Sequence, residues 1–78
     1  MRNRYQIEGP YLSGLGLRYA VRRVIDDVGM GYAATSIRSL SNAIKFSKQL
    51  RGRDVGRAPE RGLWPIVVLA DGAYKEVP

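Results

Sequence analysis

The sequence predicts an α+β fold, a mainly antiparallel sheet in the order β-β-β-α-β-β with one helix (about 39–51) packed on one face. Three observations predict it. Residues 39–50 carry one clean helical period, with Leu40, Ala43, Ile44, Ser47 and Leu50 on one face, Phe46 at its flank, and Ser41, Lys45, Lys48 and Gln49 opposite. The stretches before and after it alternate at period two or are rich in β-formers. Glycine and aspartate clusters divide these stretches into hairpin-sized pieces. Seventy-eight residues make one domain, 1–78, near the low end of what folds without disulfides or metals.

The first strand is read from Tyr5 to Ile7, extending towards Leu12, with Tyr5, Ile7 and Gly9 on one face. Pro10 cannot donate to a ladder, so this strand is expected to be an edge or to end near Gly9–Pro10. Ser13-Gly14-Leu15-Gly16 supplies the next turn. Residues 17–28 read two ways. As a helix, Leu17, Ala20, Val21, Val24, Ile25 and Val28 form a stripe. As a strand, Leu17, Tyr19, Val21 and Ile25 share a face, with Arg23 the misfit. The β-formers, the glycines at 14 and 16, and charges opposed to a helix dipole favour the strand.

Gly31 to Ile37 returns as a third strand, its small residues suited to packing beneath the helix. Ser39 or Ser41 can cap that helix and Gly52 can stop it. The twelve residues 51–62 hold four arginines, three glycines and a proline, and are read as a basic Gly/Arg surface loop. Ile66 to Ala70 reads as a buried strand, Asp71-Gly72 as a two-residue hairpin turn, and Ala73 to Val77 as the returning strand. The expected core is Ile7, Tyr19, Val21, Ile25, Ile37, Leu40, Ile44, Leu50, Ile66 and Val68.

Composition narrows the function. There is no cysteine and no histidine, which removes thiolate metal sites and the usual neutral-pH proton shuttle. Asp26 and Asp27, the adjacent acids, fall in a turn, and no histidine stands ready to activate a nucleophile, so the chain reads as non-enzymatic, with no cofactor and no metal. Gly29-Met-Gly31-Tyr-Ala-Ala34 matches a dinucleotide pattern in letters, but a strand follows it where a helix is needed. A helix-turn-helix over 17–50 requires a turn longer than that motif has. The glycine–aromatic motif of RNA-recognition sheets is absent.

Charge is the feature that remains. Thirteen basic residues, ten of them arginine, stand against seven acids, giving +6. Arg38 to Arg61 holds seven of the positive charges and two of the negative ones, Asp54 and Glu60. The candidate partner-binding residues are Lys45, Lys48, Arg51, Arg53, Arg57 and Arg61, a one-sided footprint suited to phosphates or carboxylates. Trp64, Tyr5, Tyr11 and Tyr19 lie near arginines in sequence and are candidate stacking residues.

In build, Ser39–Leu50 flanked by hairpins such as Ile66–Val77 resembles the small phage-encoded inhibitors of which anti-CRISPR proteins are examples. The resemblance covers overall architecture and implies an inhibitor docking on a nucleic-acid-handling complex, through an acidic protein surface or where strands thread. The alternative is a direct DNA- or RNA-binding regulator contacting phosphates with the same residues. The expected state is a monomer or small homo-oligomer. No apolar run has signal-peptide or membrane-spanning length, so a cytoplasmic protein with no membrane partner is expected, in the host cytoplasm if phage-encoded.

Overall fold

The first strand, β1 (Arg4–Ser13), lies in the middle of a five-stranded sheet. Together with β2 (Gly16–Ile25), β3 (Val28–Ile37), β4 (Ile66–Ala70) and β5 (Ala73–Val77) it gives the spatial order β3-β2-β1-β4-β5. The computed structural model describes residues 2–70 and 73–78. The α+β class and the order of strands and helix are those expected from the sequence, including the strand at 17–25. A short second helix follows the main one. Every ladder is antiparallel except β1–β4, where Tyr5 to Glu8 run parallel to Ile66 to Leu69.

That central position corrects the expectation of an edge strand ending near Pro10. β4 pairs with β1 only as far as Glu8, so Pro10 lies past the last β4 partner and is asked for no hydrogen bond on that side. A bulge between Glu8 and Tyr11 carries the strand onward to Ser13. Gly9 has φ +137°, and a Cβ there would lie 2.9 Å from the Arg18 carbonyl oxygen, so both its conformation and the space demand glycine.

The β2–β3 hairpin turns on Asp26 and Asp27, both with positive φ, as a two-residue turn matching sheet twist requires. Aspartates accept this cost because the N-terminal residues strap the turn. Asp26 N donates to Asn3 Oδ1 and Asp27 N to the Arg2 carbonyl, both at 2.8 Å. β3 is an edge strand with three register shifts and a positive φ at Ser36. These break the expected alternation: Ala33 and Ile37 pack against the core, whereas Thr35 lines a cleft with Tyr32.

The expected loop at 51–62 is helical. α1 runs over Leu40–Arg57 and α2 over Pro59–Gly62. Ser39 caps α1, its Oγ accepting from Asn42 N at 3.1 Å. The expected stop at Gly52 does not operate, and Pro59 sets the end instead. Ala58, the residue before it, is extended, as the proline ring demands. Ala43, Ser47, Leu50 and Asp54 form one buried stripe, so the helical period continues past Leu50 through a charged residue. α2 folds back so closely that a Cβ on Gly62 would overlap the Val55 side chain.

The core gathers Tyr5, Ile7, Val21, Ala43, Leu50, Trp64, Ile66 and Val68 between α1 and the sheet. Tyr19, Ile25, Ile37, Leu40 and Ile44 pack around it half-buried, so all ten expected core residues belong to it. Its two largest members, Tyr5 and Trp64, were not among those ten. Their rings meet at 5.6 Å between centroids. The Ile66–Ala70 and Ala73–Val77 strands pair in hairpin register, Ala70 opposite Ala73. The Asp71-Gly72 turn between them lies outside the described residues.

Candidate functional site

Arg23, the misfit on the apolar face of β2, finds its reason in α1. Its Nε and Nη2 donate to Asp54 Oδ2 and Oδ1, each at 3.0 Å, a two-pronged match of guanidinium to carboxylate. The Tyr5 hydroxyl lies 2.9 Å from Asp54 Oδ2 and 2.6 Å from the Arg61 carbonyl. Burial alone would raise the Asp54 carboxyl pKa. Hydrogen bonds from Arg23 and Tyr5, with the attraction of Arg23 and Arg61, outweigh it and hold the group below the ordinary carboxylate range. Burial, then the Asp54 hydrogen bond, pushes the Tyr5 phenol up. This cluster joins β1, β2, α1 and α2. The signals for it in the sequence were an arginine on an apolar face and an acid four residues beyond Leu50.

The face of the sheet away from α1 is covered by no further element among the described residues, yet Ala20, Val24 and Val67 are buried there. A layer of side chains seals it. Arg4 lies over the Tyr74 ring and donates to Gln6 Oε1, Gln6 donates to Glu8 Oε2, and Tyr32 donates to Glu8 Oε1. Arg22 stacks 4.1 Å from the Tyr32 centroid and approaches Glu8 at 3.6 Å. The bond to Glu8 raises the Tyr32 pKa. Glu8, Tyr11, Ala20, Tyr32 and Thr35 line a cleft of about 270 Å3 on this face.

All six residues of the expected contact surface project from the helical pair. Lys45, Lys48, Arg51, Arg53 and Arg57 lie on α1 and Arg61 on α2. Arg51 is half-buried and the other five are exposed. Among the described residues none of the six side chains makes a hydrogen bond or ion pair. At 3.6 residues per turn, with Asp54 and Ser47 facing the sheet, Lys45 points directly outward. Lys48 and Arg51 turn to one flank, and Arg53 and Arg57 to the other. Gly52 and Gly56 fall beside Lys45 on the outward crest, each facing open space. The structure thus places the cations around a convex rod, roughly 27 Å long at 1.5 Å per residue, rather than along a floppy loop.

The candidate stacking residues do not form a platform. Tyr5 and Trp64 are buried in the core, Tyr19 packs against it, and the Tyr11 hydroxyl accepts from Ser36 N at 2.9 Å. The described residues hold no group of three potential metal ligands and no helix long and apolar enough to cross a membrane.

Fold and surface together define an α+β domain presenting one cationic helix. Neither a family model, nor a curated protein sequence, nor a solved structure matches the chain.

Proposed function

We propose that this is a non-enzymatic binding protein that uses α1 to engage nucleic-acid phosphates, alone or within a nucleic-acid-handling complex. The observation that carries the reading is the set of five cations on α1, Lys45 on its crest and Lys48, Arg51, Arg53 and Arg57 on its two flanks, whose side chains make no hydrogen bond or ion pair among the described residues. A flat acidic patch meets only one side of a helix. Cations on both flanks suit a concave partner with negative charge on either wall, as along a nucleic-acid groove. The glycines on the crest let the helix backbone approach closely, and phosphate contact of this kind is largely independent of sequence.

Titrating labelled duplex DNA, single-stranded DNA and RNA against the protein at several salt concentrations tests this. Affinity should fall steeply with salt, with a duplex slope of about 0.9 per phosphate neutralised. Absence of binding to every nucleic acid at about 50 mM salt, where counterion release favours association, overturns direct contact. The anti-CRISPR-like inhibitor reading rests on the single-domain, sheet-and-helix architecture. It predicts nuclease-resistant capture of a nucleic-acid-handling complex, lost when Arg53, Arg57 and Arg61 are changed to glutamate.

A further inference from the structure

The β1–β2 hairpin outruns the sheet that carries it. β4 stops pairing at Glu8, and the last β3 partner of β2 is Ile37, opposite Tyr19. Beyond those points Leu12 pairs with Leu17 and Ser13 with Gly16, with no third strand on either side. The result is a two-stranded arm on a molecule measuring 36 × 23 × 22 Å. Its turn is well built: Ser13 Oγ accepts from Leu15 N at 3.1 Å and donates to the Gly16 carbonyl at 2.9 Å.

What this arm presents is leucine. Leu12, Leu15 and Leu17 are 82%, 74% and 58% exposed. Leu12 and Leu17 are cross-strand partners and share a face, and Leu15 stands in the turn between them. Exposed apolar residues are ordinary when scattered, but three together at the end of a projecting ribbon mark a contact surface. The charge around them has one sign. No acid occurs between Glu8 and Asp26, and Arg18 adjoins Leu17, whereas Arg22 and Arg23 lie further along β2 and are taken by Glu8 and Asp54. Arg38, exposed and without a partner among the described residues, follows Ile37 at the arm's base. Glu8, the acid at that base, is already held by Arg22 and Tyr32.

We infer that the Leu12–Leu17 arm is an interfacial anchor for an anionic lipid surface, the leucines entering the headgroup–acyl boundary and Arg18 and Arg38 meeting lipid phosphates. Charge complementarity favours this occupant. Size disfavours a second copy of the chain, because three side chains fall far short of the roughly 800 Å2 per partner that a standard protein interface buries. A spanning segment is not required, which is why no run of hydropathy along the chain announces the site.

The test is flotation with phosphatidylcholine vesicles, with and without phosphatidylglycerol, of wild type, of L12S/L15S/L17S, and of K45E/K48E/R53E/R57E. Wild type should bind the anionic vesicles, and the leucine variant should bind them at least tenfold more weakly while its melting curve and nucleic-acid affinity stay unchanged. The helix variant should lose nucleic acid but keep leucine-dependent vesicle binding, which separates this anchor from the phosphate surface of α1. The chain has no cysteine, so an environment-sensitive dye on Leu15→Cys reports insertion directly and should shift to the blue on anionic vesicles. Equal vesicle binding by wild type and the leucine variant, no vesicle binding by wild type, or an unshifted dye overturns the anchor. So does a wild-type dimer in sedimentation that the leucine variant dissolves, since a second copy then covers the arm.

Discussion

Two groups of cations in this molecule have opposite fates. On the sheet and its N-terminal strap, Arg2, Arg4, Arg22 and Arg23 each face an acid: Asp26, Asp27, Glu8 and Asp54. On α1 and α2, the side chains of Lys45, Lys48, Arg51, Arg53, Arg57 and Arg61 make no ion pair or hydrogen bond among the described residues, and only Arg61 attracts an acid, Asp54, at longer range. Even Asp54, an acid on α1, turns inward to serve a β2 arginine and leaves its own helix surface wholly cationic. Net charge alone does not separate these groups. Pairing does, and it divides arginines that hold the fold from cations left for a partner.

The largest effect expected from that division is at its buried member. Asp54→Ala strands the Arg23 guanidinium and removes an acceptor of the Tyr5 hydroxyl, and should cost about 3 kcal/mol in urea unfolding, as breaking a buried pair does. A cost comparable to a surface substitution would dissolve the distinction between the two groups. The same carboxylate sets an acid limit. Its folded pKa is depressed, so its stabilisation is present above the ordinary carboxylate value, about pH 4, and is lost as pH falls through the lower folded value. Wild-type stability should decline below about pH 4, and Asp54→Asn, compared by denaturant titration at neutral and acid pH, should flatten that limb.

The free cations should behave the other way. Arg53→Ala and Arg57→Ala should leave the unfolding midpoint within about 0.5 kcal/mol of wild type. Each should weaken nucleic-acid binding and lower the salt slope by about one. The crest glycines should move stability in the opposite direction. Gly52→Ala or Gly56→Ala has open space around it and should stabilise the helix by about 0.5–1 kcal/mol by thermal melting. A simultaneous loss of affinity would show that the crest itself approaches the partner. At the bottom of the scale, Arg2→Ala removes an exposed pair with Asp26 and should change stability by less than about 0.5 kcal/mol.

The order of strands, the helix from Ser39 to Leu50 and its apolar stripe were legible in the sequence, because period and turn chemistry are local. So were the identities of the six cations, since charge is written in the letters. The end of the helix was not. Gly52, Gly56 and four arginines argue for a loop by propensity. Only the pairing of Asp54 with Arg23 and Tyr5, residues 31 and 49 positions away, makes a helical turn there worth its cost. The central place of β1 was equally hidden, because the parallel pairing with β4 joins segments separated by β2, β3 and both helices.

Sequence by itself determined the class of fold and the excess of positive charge, both sums over local choices. Tertiary structure decided which arginines are consumed and which remain free, and that the segment at 51–62 is helical and not a loop. It also decided that Leu12, Leu15 and Leu17 stand clear of the core, since whether a strand's apolar face is covered depends on where its neighbours stop.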